Sequence, residues 1–206
     1  MATVLELDTP RGPARAHLHG AADATGALVL GHGAGGGIGA PDLVAATKVA
    51  LSLGVSVALV EQPYRVAGRK SAAPAHHLDA AWTAVLDGLR ADAFAGLRIV
   101  TGGRSSGARV ACRTAAATGA TGVLCLAFPL QPPARASGSQ SPSRIDELDN
   151  VAVPVLVVQG EGDPFGMPPS GENRTVVRLR GNHSLRSDIP GLSAAVADWL
   201  PQVLGA

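Results

Sequence analysis

Short, continuous apolar runs alternate along this chain with longer stretches whose apolar residues recur three or four positions apart. The first pattern reads as buried strand and the second as amphipathic helix. Strands are expected at residues 27–30, 55–60, 97–100, 122–128, 154–159 and 175–179. Residues 41–53 predict a helix with Pro41 in its first turn and Leu43, Ala46, Ala50 and Leu53 on one face. Residues 74–89 predict another, with Leu78, Trp82, Val85 and Leu89 at helical spacing. A helix from about Ser106 to about Thr118 would turn the small residues Ala108, Cys112 and Ala116 toward a sheet. Residues 190–203 close the chain, with Leu192, Val196, Trp199 and Val203 inward. Ahead of all these, residues 4–8 and 14–19 are β-prone and separated by Pro10-Arg11-Gly12-Pro13, which predicts an antiparallel pair joined by a turn.

Strands that alternate with helices and carry apolar residues on both faces belong to a mostly parallel sheet covered on each side. The expected architecture is therefore α/β, with an antiparallel N-terminal edge and helices on both faces. It reads as one domain over residues 1–206, without a lid domain. Residues 129–143, rich in Pro, Ser, Gly and Ala, read as a solvated loop or a short flap beside the site.

Composition narrows the function classes. A formal net charge of +1 gives no global electrostatic case for nucleic acid or an anionic membrane. No apolar run is long enough to span a bilayer, and the first residues lack the basic and apolar regions of a signal peptide. The two cysteines, Cys112 and Cys125, fall in an expected helix and strand. They read as buried free thiols in a cytoplasmic protein, with a disulfide left open. There is no Cys-x-x-Cys, and His76-His77 are adjacent and diverge on a helix, so no metal site is expected.

The candidate chemistry centres on Gly103-Arg104-Ser105-Ser106-Gly107, between the strand at 97–100 and the following helix. Gly-x-Ser-x-Gly in that context matches a nucleophile elbow, a sharp strand-to-helix turn that lifts a serine above the sheet. A serine hydroxyl needs a base, and the elbow arrangement orders the partners Ser, then Asp or Glu, then His. Five of the six histidines precede Ser105; His183 alone follows it, in a loop after the last strand. Asp163, at the end of the preceding strand in Gly160-Glu161-Gly162-Asp163-Pro164, is the expected acid, with Glu161 the weaker rival.

An oxyanion site needs two N–H donors. The Ser106 N–H and that of Ala34, in the glycine-rich loop Gly31-His32-Gly33-Ala34-Gly35-Gly36-Gly37, are the expected pair. His32, Gly33, Gly35, Arg104 and Arg65 are candidate substrate contacts, Arg65 from a basic cluster with Arg69 and Lys70. Gly31-x-Gly33-x-x-Gly36 also fits a dinucleotide fingerprint, with Glu61 as its acid. Against that, the helix starts near Pro41, too far on to meet a pyrophosphate, and Ser105, Asp163 and His183 would be left without a role. No Gly-Lys-Ser/Thr follows, which excludes a P-loop.

With His32-Gly33-Ala34-Gly35-Gly36, Gly103-Arg104-Ser105-Ser106-Gly107, Gly162-Asp163-Pro164-Phe165-Gly166 and Asn182-His183-Ser184-Leu185 in view, the chain resembles the α/β-hydrolase superfamily. It is most similar there to small, lidless, dienelactone-hydrolase-like members. Gln62-Pro63-Tyr64-Arg65 and Phe128-Pro129-Leu130 resemble a group that includes a testis-expressed protein and a subunit of a chromatin-modifying complex. Ser106 and Gly37 depart from that group's pattern. The resemblance implies an α/β-hydrolase fold and a cofactor-independent serine hydrolase acting on a small ester or thioester. Its alternative is a catalytically silent scaffold that binds a protein partner.

Overall fold

In the computed structural model, which describes residues 3–132, 139 and 141–205, the chain forms an eight-stranded sheet. In chain order the strands are β1 (Thr3–Leu7), β2 (Ala14–His19), β3 (Gly26–Gly31), β4 (Val55–Glu61), β5 (Ile99–Arg104), β6 (Gly122–Leu126), β7 (Val155–Gly160) and β8 (Arg174–Leu179). The helices are α1 (Pro41–Ser52), α2 (Pro63–Val66), α3 (Ala75–Ala91), α4 (Ser106–Thr114), α5 (Ile145–Asp149) and α6 (Ile189–Leu204). The spatial order is β1-β2-β4-β3-β5-β6-β7-β8. β1 and β2 pair antiparallel, β2 meets β4 antiparallel, and every later pairing is parallel.

The two-residue period of a strand explains why the central runs are apolar throughout. In β3, Leu28 and Leu30 face the layer of α1 and α6, while Ala27 and Val29 face α3. On the α4 side, Val123, Cys125, Val155 and Val157 pack on Ala108, Ala111 and Cys112. Small residues on α4 let it lie close to the sheet. α3 begins after Pro74 without a side-chain cap, so packing holds it: Leu78, Trp82, Val85 and Leu89 are all buried. Each such side chain contributes about 1.5–3 kcal/mol of transfer free energy. α6 is capped by Asp188, which accepts from the Gly191 N–H at 3.0 Å.

Some expectations need correcting. β5 continues past Val100 through Gly102 and Gly103, which pair with Leu30 and Gly31 on one side and Leu124 and Cys125 on the other. Glycines do not look like strand, yet here the backbone ladder runs on without side chains. α4 stops at Thr114, so Ala116 is exposed and Ala115 takes the buried place. α2 and α5 are too short to show a helical period. Residues 133–138 and 140, part of the expected 129–143 loop or flap, lie outside the described residues. Cys112 and Cys125 are free, buried thiols with their sulfurs 3.5 Å apart, and their mutual hydrogen bond and burial push the Cys125 pKa up. Among the described residues, no helix is long and apolar enough to cross a membrane.

Candidate active site

Three loop regions meet at the C-terminal ends of the parallel strands. The first is the junction of β5 and α4. Gly103 there has φ 155° and Ser105 has φ 52° and ψ −108°. A non-glycine residue in that region is strained, and such strain persists only when the surroundings impose it. The Ser105 N–H donates to the Leu126 carbonyl at 2.9 Å, which ties the bend to β6. Ser105 is the N-cap residue of α4, yet its hydroxyl makes no capping bond. A serine cap is ordinarily worth about 1 kcal/mol. Here the hydroxyl faces His183 instead, at 2.9 Å from Nε2.

The second region follows β7. Asp163 has a side chain with no exposed surface, and Oδ2 lies 2.8 Å from His183 Nδ1. Gln159 Nε2 also donates to Oδ2 at 2.8 Å, and the Phe165 N–H donates to Oδ1 at 2.9 Å. The carboxylate is thus held on both oxygens. Glu161, two residues earlier, is exposed. The third region follows β8. The Gly162 N–H donates to the Gly181 carbonyl at 2.8 Å, joining the Asp163 and His183 loops. Leu185, fully buried, anchors the His183 loop, and the Phe165 ring sits 4.6 Å from the imidazole. An ionised carboxylate only accepts, so Nδ1 carries the proton and Nε2 presents a lone pair to the Ser105 hydroxyl.

The glycine-rich loop between β3 and α1 completes the rim. Ala34 and Ser106 line the same cleft as Ser105. Among the described residues, neither N–H meets an acceptor. The Ala34 peptide is oriented by the Tyr64 hydroxyl, which donates to its carbonyl at 3.1 Å.

The remaining candidates fall elsewhere. His32 is buried; Nδ1 is 2.9 Å from the Gly33 carbonyl and Nε2 accepts the Gln62 N–H at 3.2 Å. Both ring nitrogens are committed to tying this loop to the end of β4. Gly33 lies against Arg104 and Ser105, whereas Gly35 faces open space. Arg104 points away from the cleft: Nε is 2.9 Å from the buried Asp42 and Nη2 donates to the His183 carbonyl at 3.1 Å. Burial raises the Asp42 pKa, against the pull of Arg104. Arg65, on α2, does not line the cleft.

Sequence reasoning missed Gln159, Phe165, and the Asp42–Arg104 link. A polar residue ending the run Val155-Leu156-Val157-Val158 was the available signal for Gln159. Among the described residues, no cluster of His, Cys, Asp and Glu is suited to a metal ion.

Burial lowers the His32 pKa from its ordinary 6.5. Below that value the unfolded chain takes up a proton that the folded chain refuses, so stability rises with pH in this window and is lost as pH falls. Thermal melts at pH 7.5 and 5.5 are expected to show a larger acid loss for the natural protein than for His32→Gln, which cannot titrate.

A family model described as an alpha/beta hydrolase domain matches residues 24–186. No curated protein matches the chain. Among solved structures it is similar to XC6422 from Xanthomonas campestris, described as an α/β serine hydrolase without lid, at 20% identity and a TM-score of 0.78, covering 100% of this chain and 96% of that one. It is similar to Est1E from Butyrivibrio proteoclasticus at 16% identity and a TM-score of 0.80, covering 98% and 99%. It is also similar to a dienelactone hydrolase from Anabaena variabilis at 16% identity and a TM-score of 0.72, covering 98% and 95%. At these identities the likeness speaks to the fold.

Proposed function

Because this chain belongs to the alpha/beta hydrolase domain family, we propose that it is a serine hydrolase cleaving a carboxylic ester or thioester through an acyl-enzyme on Ser105. The observation that carries this reading is the unbroken line from Asp163 Oδ2 through His183 to Ser105 Oγ, at 2.8 and 2.9 Å.

His183 Nε2 takes the Ser105 proton as Oγ bonds to the substrate carbonyl carbon. Asp163 keeps the imidazole in the required tautomer and stabilises its charged form. The carbonyl oxygen becomes an oxyanion that receives the N–H groups of Ala34 and Ser106; one such donor is worth about 2.7–4 kcal/mol of barrier. The bond to the leaving alcohol or thiol then breaks, and His183 returns the proton to it. Water, deprotonated by the same nitrogen, attacks the acyl carbon, and the Ser105 oxygen leaves with that proton. The cleft at Ser105 has a volume of about 290 Å³. That size suits a small substrate.

The test is covalent labelling by a fluorophosphonate, located by peptide mass spectrometry, beside turnover of p-nitrophenyl acetate. The expected result is one label per chain on Ser105 and measurable turnover. A folded protein that neither labels nor turns over would reject the reading in favour of a silent scaffold.

A further inference from the structure

The wall of the cleft beyond Ser105 is cationic. From Ser105, the N-cap of α4, Arg109 and Arg113 follow at four-residue intervals, and both arginines line the cleft with Arg144. Residues at that spacing share one helix face. Two carboxylates meet these three guanidiniums. Arg109 makes a two-pronged bond to Glu147, and Arg113 makes one to Asp79 with a further contact to Glu147 at 3.2 Å. Arg144 has no such partner: Nη1 donates to the Pro129 carbonyl at 2.8 Å, and among the described residues no carboxylate lies within ion-pairing distance. Burial first, and then the neighbouring Arg109, disfavour its charged form; Glu147 pulls the other way, and Arg113 adds a smaller opposing effect. The charge left over therefore lies in the cleft that holds Ser105. A guanidinium has five donors in a rigid fork, and among the described residues Arg144 commits one of them, to Pro129.

We propose that Arg144, backed by Arg109 and Arg113, forms a subsite for a carboxylate carried by the substrate, so that the preferred ester is anionic. This rests on the serine hydrolase reading for its catalytic consequence. The salt bridges to Glu147 and Asp79 hold Arg109 and Arg113 in place, while Arg144 supplies the open donors. The helix rise of 1.5 Å per residue puts Arg109 about 6 Å beyond Ser105 along α4. Arg144 lines the same cleft as Ser105, so a carboxylate a few bonds from the scissile carbonyl is the chemistry to test.

The test compares kcat/KM for paired esters after subtraction of the uncatalysed rate. On the acyl side the pair is the p-nitrophenyl monoester of glutarate and that of its neutral monoamide. On the alcohol side it is 4-acetoxybenzoate and 4-acetoxybenzamide. One pair is expected to favour the anion by roughly tenfold to a hundredfold, the worth of a charged hydrogen bond, and the pair that does so identifies the side. Arg144→Gln keeps a donor for Pro129 and removes the charge; Arg144→Lys keeps the charge. The ratio within the pair should collapse in the first and largely survive in the second, and a general loss of activity cancels from it. A merely structural Arg144 would lower both members equally. Calorimetric titration of glutarate into Ser105→Ala protein reads the subsite without turnover, and binding should weaken in Ser105→Ala/Arg144→Gln and with added salt. If no ester is cleaved but glutarate binds in this Arg144-dependent way, the hydrolase reading fails and the subsite stands. The absence of both anion preference and glutarate binding would overturn it, as would a preference indifferent to Arg144→Gln.

Discussion

Ser105→Ala is expected to lower kcat on p-nitrophenyl acetate by about 10⁴-fold to 10⁶-fold, with circular dichroism and melting temperature little changed. The hydroxyl makes no capping bond, so the fold loses little when it goes. On the proposed mechanism, chemistry loses the atom that bonds to the carbonyl carbon while its proton passes to a nitrogen 2.9 Å away. His183→Ala should cost a similar factor, and the double variant should be no slower than either single one. Groups that act as a unit fail together, so their losses do not add. Asp163→Asn tests the same chain from its far end. Its one carbonyl oxygen can still accept from the Phe165 N–H, but it then turns an amide NH2 toward Nδ1 and the Gln159 donor, and a wrong imidazole tautomer costs about 10⁴-fold. Single-turnover rates measured with enzyme in excess would check all four variants. Losses that multiplied in the double variant would show that Ser105 and His183 do not work through one another.

The second large effect is on stability. Gly107→Ala is expected to cost about 3 kcal/mol or more, since the atoms in the way are backbone and cannot swing aside. A Cβ on Gly107 would run into the Gly31 carbonyl, and would also lie 3.0 Å from the His32 carbonyl oxygen. Either α4 must back away from β3, or β3 must shift and carry the Ala34 loop with it. Gly35→Ala is the control: a Cβ there meets nothing within 4 Å, and the change should stay within about 0.5 kcal/mol. Urea denaturation of the two variants, with m-values compared to confirm that the same surface is exposed, measures the difference. Equal midpoints would mean that the helix approaches the sheet less closely than described.

The run of strands and helices was readable because a strand buried on both faces must be apolar at successive positions, and a helix covering it must repeat every three or four. Val55–Glu61 and Ala14–His19 emerge close to where their patterns place them. The β5 strand was read too short because Gly102 and Gly103 carry no side chains, and side-chain pattern is all that periodicity can see. Their place in the ladder is a backbone property, decided by Gly31 and Cys125 on either side. At the site, Ser105, Asp163 and His183 could be nominated from order and from their positions at strand ends. Gln159 showed only as a polar residue ending an apolar run, and the parts of Phe165 and Arg144 depend on how the loops after β7 and β6 fold around Asp163, His183 and the cleft.

By itself, then, the sequence determined the alternation of elements, the mostly parallel sheet with its antiparallel edge, and which serine, acid and histidine stand at loops after strands. These are local matters, set by residue type over a few positions. Tertiary structure decided which of the 26 glycines stand where a Cβ would meet neighbouring backbone, that Arg104 turns back to Asp42 and the His183 carbonyl, and that Arg144 is left, among the described residues, without a carboxylate beside the cleft. Steric contact and charge pairing depend on distance in space, and only the packing of α4 against β3, α3 and α5 sets those distances.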